Sequence, residues 1–267
     1  MEFFDSNAHP TLDGSWTTEF SSETSVRRGM SFQDLASIKI ANPGYNALAV
    51  GLPGVGGYEH RSFKRECDRW GLEGIAAITT LEQLKTEREI ELIHNLGFRG
   101  VKVHPRLLGK NTDLSFTSRI FSACNEFGLV CMLCTYEADV PGKLPRTDPF
   151  YQVCDALNEV PEIRLILMHG GGPRLMSYAG LARHSETILI DLSFTIMDFM
   201  TSTLKPLIRD LVSNLDRRLC VGSDSPEFAA VDVLGRVCEI TRDVPTNKLE
   251  NALSKNLQRF FSSHAQP

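Results

Sequence analysis

Polar residues that can bind a metal ion or transfer protons stand at the ends of short apolar runs in the chain. These residues are Asn7, His9, Lys102, His104, Cys134, His169 and Asp224. Imidazole and carboxylate groups can hold a divalent ion and can also move protons near neutral pH. If the groups converge in space, they can support hydrolysis, either with a metal-bound water or by acid–base catalysis alone.

Two pairs of these residues have the spacing that places side chains on one face of a strand. Asn7 and His9 are two residues apart, as are Lys102 and His104. Because alternate residues of a strand share a face, each pair is expected to point into one lumen. Arginines after a strand are further candidates, since a guanidinium can clamp a substrate carboxylate with two hydrogen bonds. They are Arg106 and Arg174.

Eight apolar runs alternate with segments of helical periodicity, a pattern typical of parallel strands joined by crossover helices. The runs are EFFDSN from Glu2, NALAVGL from Asn46, GIAAITTL from Gly74, GVKVHP from Gly100, LVCMLCT from Leu129, RLILMHG from Arg164, ILIDLSF from Ile188 and RLCVGSD from Arg218. Eight strands without a complete glycine-rich phosphate-binding fingerprint favour a closed α/β barrel, (β/α)8, over an open doubly wound sheet. In such a barrel catalytic residues lie at the carboxyl ends of the strands.

The segments between the runs predict amphipathic helices. The segment before the fourth run repeats apolar residues with helical spacing and ends at Gly97, a helix stop signal. The face expected to pack on the barrel consists of Leu81, Leu84, Ile90, Ile93 and Leu96. A short helix is predicted over SFQDLASIKI, and two more after the eighth run, from about Ala229 and about Thr246.

Length and composition favour one large domain over residues 1–267, because 267 residues with 42% hydrophobic and 23% charged side chains suit a single barrel. A net charge of -5 without a run of Lys or Arg argues against a nucleic-acid partner. The chain has no leader-like start and no apolar stretch of bilayer length, so we expect a cytoplasmic protein without a membrane partner.

The long connection after the first run, residues 11–45, is expected to form either a rim or lid of the site or a plain surface insertion.

FFDSNAHP, GFRGVKVHP, RLILMHGGG, ILIDLSF, RLCVGSDSP and ALSKNLQRFF resemble, in order and spacing, the landmarks of the amidohydrolase superfamily, in particular its amidohydrolase-2 branch. The resemblance covers nearly the whole chain. It implies a TIM barrel that acts as a metal-dependent hydrolase, or less often as a decarboxylase or lactonase. The implied substrate is a small molecule, often carboxylated or cyclic.

The chain departs from the family at two positions. The family's first strand ends in His-x-His, which falls on Asn7 and His9, and its fifth-strand His falls on Cys134. The sixth-strand His and the eighth-strand Asp are present as His169 and Asp224. Asn is a poor zinc ligand, whereas a thiolate binds zinc strongly. The resemblance therefore implies one divalent ion, Zn²⁺ first, held by His9, Asp224 and Cys134 or Asn7, or else no metal.

We predict that Asp224 activates water and that His169 polarises the scissile carbonyl or positions the water. The predicted substrate-binding residues are His104, Arg106, Arg174 and Asn7. Each assignment has a structural alternative: a loop cap for Asp224, a hydrogen-bonded core histidine for His169, and simple packing for Cys134. For Lys102, an ion pair with a neighbouring carboxylate is favoured over a carbamylated metal bridge.

Two other functions stay open. One is metal-free chemistry such as lactone opening, with Asp224 as the base. The other is a barrel that has lost catalysis and binds a ligand or partner protein. The sequence does not indicate which substrate is used or whether the chain forms a homo-oligomer.

Overall fold

The computed structural model describes residues 1–17, 26–109, 114–136, 148–198 and 204–262, and its centre is a sheet of eight parallel strands. The strands are β1 (Phe3–Ala8), β2 (Tyr45–Val50), β3 (Glu73–Ala77), β4 (Gly100–Val103), β5 (Val130–Cys134), β6 (Leu165–Met168), β7 (Ile188–Asp191) and β8 (Leu219–Cys220). Each strand pairs in parallel with its neighbours in chain order. All eight predicted runs are confirmed.

Hydrogen bonds just beyond β8 bring the end of the sheet back to β1. Ser6 N donates to Val221 O at 3.1 Å, and His9 N donates to Ser225 O at 2.8 Å. The sheet is therefore a nearly closed barrel, and the predicted (β/α)8 class is confirmed. The same two contacts fix the position of the loop after β8 relative to the end of β1.

Helices surround the strands. They are α1 (Phe32–Ala41), α2 (His60–Trp70), α3 (Gln83–Asn95), α4 (Thr117–Glu126), α5 (Pro149–Glu159), α6 (Leu175–Arg183), α7 (Thr195–Asp198), α8 (Leu204–Asn214), α9 (Ala230–Ile240), α10 (Thr246–Glu250) and α11 (Asn256–Ser262). A π-helical stretch, Asn251–Lys255, joins the last two. The helices expected over SFQDLASIKI and after β8 are confirmed. In the described part of the chain, no helix has the length and apolar character needed to span a membrane.

The predicted buried face of α3 is right at its centre and wrong at one position. Ile90 and Ile93 are fully buried, and Gly97 ends the helix with a φ of 79°. Leu84, however, is 69% exposed. It lies in the first turn of the helix, and the apolar repeat there does not face the barrel.

The barrel is filled at its amino end. Interior side chains of the strands form one cluster with Leu257, Phe260 and Phe261 from α11. Arg99, directly before β4, donates to Phe261 O, which fixes α11 at the amino ends of the strands. Because this end is packed with apolar side chains, the accessible part of the lumen is at the carboxyl ends.

Segment 11–45 contributes short strands at the carboxyl ends. Pro10–Thr11 pairs with Met30–Ser31, and Ser15–Thr17 pairs with Val26–Arg28. The hairpin places the buried Trp16 ring 5.8 Å from the His9 ring, in a stacked arrangement. Part of this segment thus packs against the end of β1.

Candidate active site

A cavity opens at the carboxyl ends of the strands and holds about 590 Å³ of empty space, part of it open to solvent. His9, His104, Arg106, His169 and Asp224 all line it. These residues come from four different strand ends, as the spacing of the apolar runs predicts. Parallel strands bring their carboxyl ends to one face of a barrel, which is why residues so distant in sequence meet here.

Asp224 is held by two residues at the carboxyl end of β1, Asn7 within the strand and His9 directly after it. His9 Nε2 lies 3.2 Å from Asp224 Oδ1, and the Asn7 amide nitrogen donates to the same oxygen. Burial raises the pKa of Asp224, but the hydrogen bond from His9 and the positive charges of His169, His9 and Lys102 outweigh burial and leave the pKa below its usual value. Asp224 is therefore an ionised carboxylate at neutral pH, and a weaker base than an exposed aspartate.

His9 bridges the strand end and the carboxylate. Its Nδ1 lies 2.8 Å from Val50 O, and its Nε2 faces Asp224. Both partners are hydrogen-bond acceptors, so both bonds form together only when the ring carries two protons. In that form His9 can donate a proton as well as orient Asp224.

His169 begins the sharp HGGG turn after β6 and is oriented from β7. Its Nδ1 lies 3.0 Å from Ser193 O and 3.1 Å from Ser193 Oγ. The buried Asp191 accepts hydrogen bonds from the backbone N of His169 at 3.3 Å and of Ser193 at 3.1 Å. Burial lowers the pKa of His169, but contact with Cys134 and the charge of Asp224 raise it above its ordinary value overall. Asp191 and Ser193 thus position this imidazole.

His104 is neutral in the folded protein. Leu107 N donates to His104 Nδ1 at 3.3 Å, which places the ring proton on Nε2. Burial, with the positive charges of Arg106 and Lys102, holds the pKa of His104 well below its ordinary value. His104 can therefore donate a hydrogen bond to a substrate oxygen without carrying a charge.

Lys102 is a buried lysine in the cavity wall. It is 1% exposed, and among the residues that the structure describes its Nζ has no hydrogen-bond partner. The expected ion pair with a carboxylate is thus absent within the described residues.

Cys134 is also buried, beside His169, and is not among the residues that line the cavity. Burial raises the pKa of Cys134, but Arg106, His169 and Lys102 lower it to about 6.

The two predicted carboxylate clamps have different positions. Arg106 lines the cavity, and its Nη1 donates to Tyr136 O at 2.7 Å. Arg174 forms two hydrogen bonds with Asp148, at 2.5 and 2.9 Å, and is not among the residues that line the cavity. Asn7 is not among the residues that line the cavity, and its amide nitrogen contacts the cavity residue Asp224.

Aromatic and acidic residues that the sequence analysis missed complete the cavity wall. They are Trp16, Tyr136, Phe194 and Glu227. Phe194 is the last residue of the ILIDLSF run, so its place at a strand end could have suggested it. Trp16 lies in the short strand Ser15–Thr17 and Tyr136 follows β5, and neither segment carries a periodic signal in the sequence.

Among the residues that the structure describes, three other than glycine have left-handed backbone conformations, and all three line this cavity. They are His169, Phe194 and Asp224, with φ of 63°, 62° and 58°. Such conformations cost free energy and persist only where the surrounding structure enforces them. Their clustering is typical of a functional site.

The donor atoms do not fit a bound metal. Within the described ranges, no group of three or more His, Cys, Asp and Glu residues is arranged to hold a metal ion. Of the predicted ligands, His9 and Asp224 are in contact, whereas Cys134 lies against His169. Asn7 turns an N–H group, not its oxygen, toward Asp224. The predicted set of His9, Asp224 and Cys134 is therefore not assembled as a metal centre.

Comparison with known proteins now decides the family. Residues 57–231, more than half of the chain, match the family model Amidohydro_2, described as amidohydrolase. The chain belongs to the amidohydrolase family. This amidohydrolase is accordingly a hydrolase, as its resemblance to the family predicts. Among curated proteins, none matches the chain.

Solved structures confirm the TIM-barrel fold. A probable 2-pyrone-4,6-dicarboxylic acid hydrolase from Acinetobacter baumannii, solved with citric acid bound, is 16% identical, with a TM-score of 0.71 over 98% of this chain and 100% of that one. An uncharacterised TIM-barrel protein from Bordetella bronchiseptica is 14% identical, with a TM-score of 0.74 over 98% and 99%. Dihydroorotase from Campylobacter jejuni is 11% identical, with a TM-score of 0.67 over 100% and 85%. At such identities the likeness concerns the fold.

Proposed function

We propose that this amidohydrolase hydrolyses small carboxylated esters, with cyclic esters as the first substrates to test, and that Asp224 handles the proton of the attacking water. The observation that carries the proposal is the position of Asp224. It is ionised, held by His9 and Asn7, and placed on a cavity whose other polar groups include two cations, Lys102 and Arg106.

The cavity favours an anionic, flat substrate. Arg106 places a guanidinium in the wall, and a guanidinium binds a carboxylate more strongly where water is excluded. Trp16, Tyr136 and Phe194 add aromatic faces and edges, against which a planar ring packs well. A carboxylated lactone or aromatic ester has both features.

The reaction follows from the hydrogen-bonding roles. The Nε2–H group of His104 donates a hydrogen bond to the carbonyl oxygen of the substrate, which makes the carbonyl carbon more electrophilic. Water adds to this carbon, and Asp224 accepts a water proton. As the carbon–oxygen bond breaks, His9 gives a proton to the leaving oxygen. Because the pKa of Asp224 is low, Asp224 readily passes the water proton on to His9 and so restores both residues. We derive no step through a metal, since the donor set described above does not fit one.

Four features of the protein stay predictions: one domain over residues 1–267, residues 11–45 as a rim of the site, a cytoplasmic location and the absence of a nucleic-acid partner.

The experiment that tests the function is hydrolysis of a panel of lactones, aryl esters and amides, each with and without a carboxylate. The release of protons is the measured signal. Because the similar A. baumannii structure is described as acting on a dicarboxylate, 2-pyrone-4,6-dicarboxylate belongs in the panel. Wild-type turnover of carboxylated lactones, lost in Asp224→Asn, supports the proposal. Release of CO₂ instead of a ring-opened acid, or no turnover on any compound, overturns it.

A further inference from the structure

We infer that the Lys102 ammonium takes the place of a metal ion in this site: it stands among the groups expected to bind the metal and stabilises the negative charge that forms on the carbonyl oxygen. The catalytic half of this inference rests on the proposed function. The half that concerns metal exclusion does not.

The position of Lys102 follows from strand register. Lys102 on β4 pairs with Met132 on β5, so Cys134 lies one step further along the same lumen face. A lysine side chain is long enough to span that step, and Lys102 lines the cavity together with Asp224 and His169. The ammonium therefore lies near Cys134, at the end of β5, and near His169 and Asp224, which follow β6 and β8.

The charges around Lys102 are those that a divalent ion would attract. Burial lowers the pKa of Lys102, and the charges of Cys134, Asp224 and Asp191 offset this effect only in part, so the pKa lies below its ordinary value. Arg106 acts in the same direction as burial. The protonated form of Lys102 is attracted to these three groups and repels a second cation.

The ammonium is also free to act on substrate. A buried charged group without a hydrogen-bond partner is costly, and natural structures keep such groups chiefly where they function. In the described part of the chain, Lys102 Nζ has no such partner. A substrate oxygen that gains negative charge as water adds would provide one, so the interaction would be stronger in the transition state than in the bound ester.

The first test measures metal binding and needs no substrate. Chelator-treated wild type, Lys102→Ala and Lys102→Arg are titrated with Zn²⁺ in a calorimeter. Removing the ammonium should let Lys102→Ala bind one zinc about tenfold or more tightly than wild type, because a like charge leaves the ligand groups. Lys102→Arg, which keeps the charge, should behave like wild type. If Lys102→Ala does not fold, Lys102→Met serves for the same comparison. Equal zinc affinity with and without the ammonium, whether tight or absent, overturns the inference.

The second test separates transition-state stabilisation from substrate anchoring. Lys102→Met keeps the length and removes the charge, so kcat should fall by about 10²- to 10³-fold while KM changes little. Lys102→Arg should recover part of the loss. Lys205→Met, at a lysine on α8 paired with Glu239, is the matched control and should leave both constants unchanged. A higher KM with an unchanged kcat would make Lys102 a carboxylate anchor and overturn the catalytic half. If wild type hydrolyses nothing, the proposed function fails, but the zinc titration still decides the metal question.

Discussion

Replacing Asp224 by Asn should remove most of the activity and leave the barrel intact. The variant keeps the shape of the side chain but loses the oxygen that accepts the water proton. His9 and Asn7 contact the same oxygen of Asp224, Oδ1, so an amide oxygen in that place can still accept both hydrogen bonds. Loss of a positioned base costs about two to four orders of magnitude in turnover, or about 3 to 5 kcal/mol in activation free energy.

The assay is initial-rate hydrolysis of the best lactone in the panel, with near- and far-ultraviolet circular dichroism to show that the variant is folded. Asp232→Asn, an exposed carboxylate in the first turn of α9, is the matched control and should retain wild-type turnover. A folded Asp224→Asn protein that retains more than about a tenth of wild-type turnover would remove Asp224 from the mechanism, because loss of a base costs far more than that.

Three further variants test the site and the turn that builds it. Arg106→Met should raise KM for carboxylated esters by about tenfold or more and leave KM for uncharged esters unchanged. Arg174→Met should alter neither KM value, because Arg174 is not among the residues that line the cavity. Equal effects of the two substitutions would refute the assignment of Arg106. The pKa of His104 is lower in the folded protein than in the unfolded chain, so the stability that this residue contributes is present above about pH 6.5 and is lost as the pH falls below that value. Urea unfolding at several pH values should show the loss of stability. The loss should be smaller in His104→Asn. Gly171→Ala places a methyl group against the Tyr178 ring at a φ of 75°, and a loss of about 1 to 3 kcal/mol in unfolding free energy is expected; an unchanged melting temperature would contradict the packing argument.

Most of the fold could be predicted from the sequence because parallel strands buried on both faces are continuous apolar runs. All eight runs became barrel strands, and Gly97 and Gly128 adopt the left-handed conformation expected where a helix ends. Leu84 shows the limit of the pattern: near a helix end, an apolar residue can follow the period and still be exposed. The short strands of residues 11–45 carry too few residues for any period to be visible.

The sequence predicted which strand ends supply the site residues, but not how the side chains are arranged there. Barrel topology alone brings together the four residues His9, His104, His169 and Asp224. Whether Lys102 has a partner depends on side-chain distances across the lumen, which a sequence pattern does not contain. The same holds for Asn7, whose amide serves Asp224, and for Arg174, which Asp148 holds elsewhere.

The three left-handed residues His169, Phe194 and Asp224 set a limit on how this protein can be made more stable. Each such conformation opposes folding by about 1 to 3 kcal/mol, which is a considerable part of the stability of a domain. Glycine at Phe194 would relieve that cost locally but would also loosen the turn that carries Ser193 toward His169. Selection for heat resistance would therefore accumulate substitutions on the outer helices and loops and spare these turns, whereas variants that relax the turns would gain melting temperature and lose turnover.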